Sequence, residues 1–102
     1  MRLQYTRRAK RHLDAIADYI ADRNPAAARR VGARIRETIS LLGDLPYIGR
    51  AGALSGTREL IVPSLPYIVV YGVDEQSGVV VILGIYHGAQ LRPGLERPGK
   101  RR

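Results

Sequence analysis

The amino-acid sequence predicts an α+β fold, in which a helical hairpin packs on a small, mainly antiparallel sheet in the order β-α-α-β-β-β. Three observations lead to this prediction. Residues 2–6 alternate polar and apolar side chains, as a half-buried strand does. Residues 7–43 carry apolar side chains at helical spacing on both sides of Asn24-Pro25. Residues 57–87 contain three apolar runs separated by two turn sequences, which is typical of a β-meander.

The two predicted helices begin at residues suited to capping. The hydroxyl of Thr6 can accept a hydrogen bond from an N–H group in the first turn of the first helix. Asn24 can do the same for the second helix, and Pro25 follows at a position where no N–H group is needed. We expect this helix to end at Gly43, and Gly32 to mark a close approach of the two helices. The apolar stripes comprise Ala9, Leu13, Ile16, Ala17 and Ile20 in the first helix and Ala28, Val31, Ile35, Ile39 and Leu42 in the second.

A loop rich in glycine and proline is predicted at residues 44–56, before the meander. The three strands are expected at about 57–62, 67–73 and 79–87. The first turn contains Pro63 and Pro66, and the second spans residues 74–78, which have hairpin chemistry.

The last strand has an unusual composition. Val79 to Ile85 contains no polar residue and no alternation, which is typical of a strand buried on both faces. Two helices can cover only one face of a sheet. We therefore expect the other face to be covered by the C-terminal tail, by a second copy of the chain or by another protein.

Length and composition limit the class of protein. The 102 residues are enough for one domain, assigned to residues 1–90, followed by a basic tail at 91–102 that we expect to be mobile in isolation. The absence of cysteine excludes a disulfide framework and a thiolate metal site, and it fits a reducing cytoplasm. The N-terminal residues lack the apolar segment of a signal peptide, and no apolar run approaches the ~20 residues of a membrane span. We therefore expect a cytoplasmic protein without membrane contact.

Positive charge is concentrated on the predicted helices and the tail. Residues 1–43 carry ten Lys or Arg and four Asp or Glu, a balance of +6, and residues 91–102 carry a balance of +4. Residues 44–90, which include the meander, carry a balance of −2. This distribution would attract nucleic acid or an acidic protein. A solvated helix face with a disordered basic tail would have the same composition, and the sequence leaves both interpretations open.

Three residues with functional side chains stand out, each with a structural alternative. His87 ends the last strand, where an imidazole that titrates near neutrality could act as an acid or base, or could be purely structural. Arg58 lies in the first strand of the meander beside Glu59, where it could contact an anion or form an ion pair. His12 lies among basic residues of the first helix, and we expect it to be solvated.

Other chemistry has little support in the sequence. Two histidines without cysteine do not favour a metal site, and no carboxylate pair, nucleophile elbow or phosphate-binding loop is present. Tyr67 and Tyr71 share one strand face, where their rings fit the edge of the core with the hydroxyls reaching water. A base-stacking platform is the alternative, but it would require more positive charge around it.

Five segments in a particular order connect the sequence to a known family. They read LDAIADYIADRNPAAA, LLGDLPYIGR, GTREL, PYIVVYGV and VVVILGIYHGAQ. In this order and spacing, over about residues 3–92, the chain resembles the toxins of the ParE/RelE superfamily from bacterial type II toxin–antitoxin modules. The resemblance implies a cytoplasmic toxin without a cofactor or metal. It also implies a cognate antitoxin as partner. The expected assemblies are a homodimer of the toxin or a heterotetramer with two copies of toxin and antitoxin.

The superfamily contains two mechanisms. RelE-like members cut mRNA in the ribosomal A site by attack of the 2′-hydroxyl on the adjacent phosphate, and they need lysine and arginine on the sheet. The matching positions here look like Ile61, Pro63 and Ile68, and none of these can stabilise a phosphorane. ParE-like members lack the nuclease residues and poison DNA gyrase.

The resemblance therefore implies a ParE-like gyrase inhibitor without catalytic residues. The alternative is a RelE-like, ribosome-dependent mRNA endoribonuclease, in which Arg58, Tyr86 and His87 would be catalytic and the ribosome and mRNA would be the targets. An inactive or purely DNA- or protein-binding module is a third possibility. The residues expected to bind the target or partner are Arg50, Arg58, Tyr86, His87, Gln90 and Arg92.

Overall fold

The computed structural model describes residues 1–88, and it confirms the predicted order of elements with one addition. The elements are β1 (Arg2–Tyr5), α1 (Arg7–Ala21), α2 (Pro25–Asp44), β2 (Arg50–Ala51), β3 (Arg58–Ile61), β4 (Tyr67–Asp74) and β5 (Val79–His87). The short strand β2 lies within the segment predicted as a loop. Gln90, Arg92 and the predicted tail at 91–102 lie outside the described residues.

The five strands form one mixed sheet in the order β1-β5-β4-β3-β2. β1 runs parallel to β5, and every other neighbouring pair is antiparallel. The two helices pack against each other, and α1 also packs on β5. The core contains Ala9, Ile35, Ile39, Leu42, Val62, Val69, Tyr71, Val80, Ile82 and Ile85. This arrangement confirms the predicted α+β class and the mainly antiparallel sheet.

The helix starts are confirmed, whereas two predictions about glycines in α2 are wrong. The Thr6 hydroxyl accepts from Ala9 N at 3.1 Å, and Asn24 Oδ1 accepts from Ala27 N at 3.1 Å. Gly43 does not end α2, because the helix continues to Asp44 and the N-terminal ammonium donates to the Gly43 carbonyl. Gly32 does not mark contact with α1 either. The atoms nearest to a Cβ there belong to the Arg36 guanidinium of the same helix, at 3.3 Å.

A β-bulge explains why the last strand lacks alternation. Val70 pairs with Gly84 and Tyr71 pairs with Ile82, so that one extra residue of β5 lies between the two pairs. Ile82 and Ile85 can therefore both face the core although they are three residues apart. Beyond the extra residue, the side chains of β5 that face the core change from even-numbered to odd-numbered positions.

The opposite face of the sheet also contains buried apolar side chains. Ile68, Val70 and Val79 are buried but lie outside the core cluster. Burial on both faces is thus confirmed for β4 and at Val79, and these three residues are buried within one copy of the chain. For the rest of the last strand the prediction is confirmed only in part, because Val81 and Leu83 are half-buried. Within residues 1–88, neither helix is long and apolar enough to cross a membrane.

Candidate functional site at the two ends of the sheet

The predicted site residues lie at two separate ends of the sheet. Arg58 pairs with Tyr71 of β4, whereas His87 pairs with Tyr67 of the same strand. Four residues of an extended strand separate these two positions by about 13 Å. We call the first position the loop end (residues 45–58 with the β4–β5 turn) and the second the histidine end (His12, Tyr67, Tyr86 and His87). The structure therefore does not bring Arg58 together with Tyr86 and His87.

At the loop end, Arg58 holds the backbone of the preceding loop. Its Nη1 donates to the carbonyl oxygens of Tyr47 at 3.3 Å and of Gly49 at 2.8 Å. The guanidinium carbon also lies 5.0 Å from the centre of the Tyr47 ring, within cation–π range. The sequence offered an anion contact or an ion pair for Arg58, but in the structure the side chain binds backbone carbonyls.

Tyr71 holds the same loop from inside the core. Its hydroxyl donates to Pro46 O at 2.8 Å and accepts from Gly49 N at 2.9 Å. Burial raises the pKa of this phenol, which favours the protonated form that can donate. The expectation that the Tyr71 hydroxyl reaches water is wrong, because the sequence did not show that the loop folds back over β4.

The ion pair of this region is made by Arg50 instead of Arg58. Arg50 Nη2 lies 3.2 Å from Glu59 Oε1, and the two residues are register partners on β2 and β3. The Glu59 side chain is only 3% exposed, whereas that of Arg50 is 55% exposed. Arg50 thus neutralises a buried carboxylate while it keeps part of its own surface in water.

An open cleft of about 500 Å³ lies beside the loop whose backbone Arg58 and Tyr71 bind. Its lining comprises Tyr47, Gly56, Arg58, Val73, Asp74, Glu75 and Gln76. The Tyr47 hydroxyl donates to the Glu75 carboxylate, and this hydrogen bond is the main reason why the pKa of Tyr47 is raised. The cleft combines two carboxylates with one guanidinium, so its lining carries a net negative charge.

At the histidine end, His87 is exposed and meets Tyr67 edge-on. The ring centres are 5.7 Å apart, and the planes make an angle of 84°. Both rings line a shallow pocket of about 380 Å³ together with Ala15, Ile16 and Tyr19 of α1. The Arg23 guanidinium lies 4.4 Å from the centre of the exposed Tyr19 ring. The arrangement presents aromatic surface and one cation near the end of β5.

Tyr86 and His12 form a second contact at this end. Their ring centres are 4.9 Å apart with an interplanar angle of 72°. The Tyr86 ring lies over Gly84, since a Cβ there would be 2.6 Å from Tyr86 Cε1. Consecutive strand residues point to opposite faces, so Tyr86 and His87 diverge.

His12 is a structural residue that sequence reasoning missed. Its Nδ1 accepts the backbone N–H of Ile85 at 3.1 Å, which satisfies a donor that β1 is too short to reach. Burial lowers the pKa of His12, and the charges of Arg8 and Arg11 lower it further. The prediction that His12 is solvated is therefore wrong. The available signal was its spacing, because His12 follows Ala9 by three residues and borders the apolar stripe.

Comparison with known proteins identifies the family. The chain belongs to a family of toxins from type II toxin–antitoxin systems, because the model described as "ParE toxin of type II toxin-antitoxin system, parDE" matches residues 3–92. The resemblance to the ParE/RelE superfamily stated from the sequence is therefore confirmed.

Three proteins illustrate the similarity. The Sinorhizobium fredii protein named toxin Y4kP is 40% identical over 92 residues, which cover 90% of this chain and 93% of that protein. Toxin RelE2 of Caulobacter vibrioides is 39% identical over 87 residues, which cover 85% and 94%. A chain of the chromosomal ParDE TA system from P. aeruginosa superposes with a TM-score of 0.77 at 28% identity, covering 85% of this chain and 95% of that chain.

Proposed function

We propose that this protein is a ParE-like toxin that inhibits DNA gyrase and is neutralised by a cognate antitoxin in the cytoplasm. The observation that carries the proposal is the engagement of Arg50 and Arg58. They are the only lysine or arginine residues between positions 44 and 90. Arg50 pairs with Glu59, and Arg58 binds two backbone carbonyls of its own loop.

Cleavage of mRNA requires cationic side chains on the sheet, and this chain has apolar residues at the corresponding positions. A phosphorane needs preorganised cations or donors aimed at its oxygens. At the corresponding positions, Ile61 and Ile68 are register partners on β3 and β4, and Pro63 follows in the turn. These apolar side chains support a mechanism in which the toxin acts by binding its target.

One observation favours RelE-like ribonuclease activity as a second candidate. A relative at 39% identity is named toxin RelE2, and this chain retains Tyr86 and His87 at the end of β5. The two side chains diverge, however, and about 10 Å of strand for Tyr86 and about 13 Å for His87 separate them from the position of Arg58. A nuclease would have to assemble its catalytic groups differently.

Two assays on purified protein test the mechanism. We expect the toxin to inhibit supercoiling by DNA gyrase or to trap cleaved DNA, and its induction in cells to block replication and cause filamentation. Translating ribosomes with a defined mRNA serve as the parallel assay, and we expect no cleavage there. Codon-positioned cuts with gyrase unaffected would establish the second candidate instead.

Substitution of His87 separates the two mechanisms within one variant. Loss of a general acid or base costs about 10²–10⁴ in rate, so His87→Ala would abolish the toxicity of a ribonuclease. A gyrase inhibitor would lose only part of its toxicity, because a single contact is usually worth no more than a few kcal/mol. Growth arrest is measured after induction of soluble, folded protein. Tyr19→Ala is the matched control, since it removes another exposed ring of the same pocket that the nuclease alternative does not use.

An antitoxin partner is part of the proposal. The ParDE structure that this chain resembles is that of a toxin–antitoxin system. The balance of +6 on residues 1–43 suits an acidic partner. The proposed assembly is a heterotetramer of toxin and antitoxin, with a homodimer of the toxin as the alternative. Co-purification with the product of a neighbouring short reading frame would test this directly.

A further inference from the structure

The loop that follows α2 is held firmly and yet displays apolar side chains. Leu45, Tyr47 and Ile48 are 52%, 45% and 44% exposed. The backbone of the same loop is fixed by Tyr71 and Arg58, which bind the carbonyls of residues 46, 47 and 49 and the N–H of residue 49. A surface that is ordered before binding loses less conformational entropy when a partner docks. Such preorganised apolar exposure is expected of a recognition surface.

The charge around this loop has the opposite sign to the charge of the helices. Asp44 precedes Leu45, and Asp74 and Glu75 line the neighbouring cleft, all three being exposed. Hydrogen bonds from Ser77 lower the pKa of Asp74, so this carboxyl is ionised at neutral pH. Arg58 offsets one of these charges, and the N-terminal ammonium, which donates to the Gly43 carbonyl next to Asp44, offsets another. One net negative charge is left beside the apolar side chains, on the side of the cleft that Asp74 and Glu75 line.

We propose that this loop face, defined as Asp44, Leu45, Tyr47, Ile48, Asp74 and Glu75, docks a protein surface that presents lysine or arginine beside apolar side chains. The cleft of about 500 Å³ has room for one such cationic side chain next to Asp74 and Glu75. Leu45 and Ile48 supply the apolar contact. The inference rests on the proposed function in one respect, namely that the partner is the protein target of the toxin.

Charge distinguishes this partner from other occupants. Phosphate groups of a nucleic acid would be repelled by the three carboxylates. An acidic partner would be drawn instead to the helices, where the arginines of α2 lie on exposed positions. The loop face and the helices therefore suit partners of opposite charge, so that one molecule can bind two proteins at different surfaces.

Paired substitutions at Ile48 test the sign of the partner's charge. Ile48→Lys and Ile48→Asp both remove the apolar contact, but they change the charge in opposite directions. Ile61→Lys and Ile61→Asp are the matched controls, since Ile61 is a comparably exposed isoleucine (53%) on β3. Each variant is measured for binding to DNA gyrase holoenzyme, for growth arrest after induction, for complex formation with the cognate antitoxin and for thermal unfolding.

We expect Ile48→Lys to weaken gyrase binding at least about tenfold more than Ile48→Asp, and to weaken growth arrest accordingly. Both Ile61 variants should stay within about twofold of wild type. All four variants should keep the antitoxin complex and the unfolding temperature of the wild type. If gyrase does not bind even the wild-type toxin, the proposed function fails, while the same ranking in growth arrest still supports the loop face.

Four outcomes would overturn the loop face. Wild-type growth arrest by both Ile48 variants would show that the surface is not used. A larger loss in Ile48→Asp than in Ile48→Lys would indicate an anionic partner such as nucleic acid. Loss of the antitoxin complex in folded Ile48 variants would identify the antitoxin as the occupant. A change in self-association, with target binding intact, would identify a second copy of the chain.

Discussion

The two ends of the sheet use similar side chains in different ways. At the loop end, Tyr71 and Arg58 are fixed by hydrogen bonds to backbone groups, Tyr71 within the core and Arg58 at the wall of the open cleft. At the histidine end, Tyr67 and Tyr86 meet imidazole rings edge-on, partly open to solvent. A tyrosine or arginine near a glycine-rich loop can therefore be a structural clamp, whereas rings at an open strand end can move. The substitutions below test this difference in rigidity.

The largest expected effect comes from adding one methyl group at the loop end, and the same change at the histidine end serves as its comparison. A Cβ on Gly49 would lie 2.6 Å from Tyr71 Oη and 2.8 Å from the backbone oxygen of Glu59. Because neither neighbour can move without breaking a hydrogen bond or a strand, we expect Gly49→Ala to destabilise the fold by about 3 kcal/mol. Urea denaturation measures the free energy of unfolding.

Gly84→Ala is the matched variant at the histidine end. A Cβ there also meets an atom at 2.6 Å, but that atom is Cε1 of the partly exposed Tyr86 ring. The ring can rotate away, and alanine has a more favourable backbone entropy than glycine, so the net cost should stay below about 1 kcal/mol. Equal costs at Gly49 and Gly84 would contradict the difference in rigidity.

Removal of one hydroxyl gives the next largest effect. Tyr71→Phe keeps the buried ring but removes the partner of both Gly49 N and Pro46 O, which should cost about 1–3 kcal/mol. Tyr47→Phe is the control, since it removes an exposed hydroxyl and should change stability by less than about 0.5 kcal/mol. Hydrogen exchange at residues 47–50 should rise in the first variant only. Unchanged exchange there would show that Arg58 alone holds the loop.

The order of elements was predictable from the sequence because each signal is local. Thr6 and Asn24 mark helix starts by their own hydrogen bonds, and the turn at residues 74–78 is set by its own residues. The bulge in β5 was not predictable, because it depends on which residues of β4 lie opposite. Strand β2 was missed for a similar reason, since two residues without alternation form a strand only by pairing with β3.

The candidate site was less predictable, because its residues act through distant backbone groups. From the sequence, Arg58 could bind an anion, whereas in the fold its guanidinium donates to the carbonyls of residues 47 and 49. From the sequence, His12 is expected to be solvated, whereas in the fold its Nδ1 accepts the N–H of Ile85 on β5. In both cases the contact joins segments separated by a loop or by most of the chain. The spacing of His12 from Ala9 indicates a position at the border of the apolar stripe, but composition and periodicity do not identify the backbone group that either side chain binds.

The smallest expected effect is a dependence of stability on pH that originates at His12. Burial lowers its pKa in the folded protein below the ordinary value of 6.5, so the unfolded chain takes up a proton first as the pH falls. The stabilising contribution is therefore complete above about pH 6.5 and is lost as the pH falls towards the folded pKa. Protonation at Nδ1 also removes the acceptor that Ile85 N uses.

His12→Asn isolates this contribution, because the asparagine oxygen can replace Nδ1 as an acceptor and does not titrate. Unfolding is measured by urea between pH 5 and 8 in both proteins, and the contributions of groups that the substitution leaves unchanged cancel in the difference. We expect the wild type to lose stability relative to the variant as the pH decreases through this range. Parallel pH profiles would show that His12 takes up its proton equally well in the folded and unfolded chain, and that its contact with Ile85 contributes nothing to the pH response at this end of the sheet.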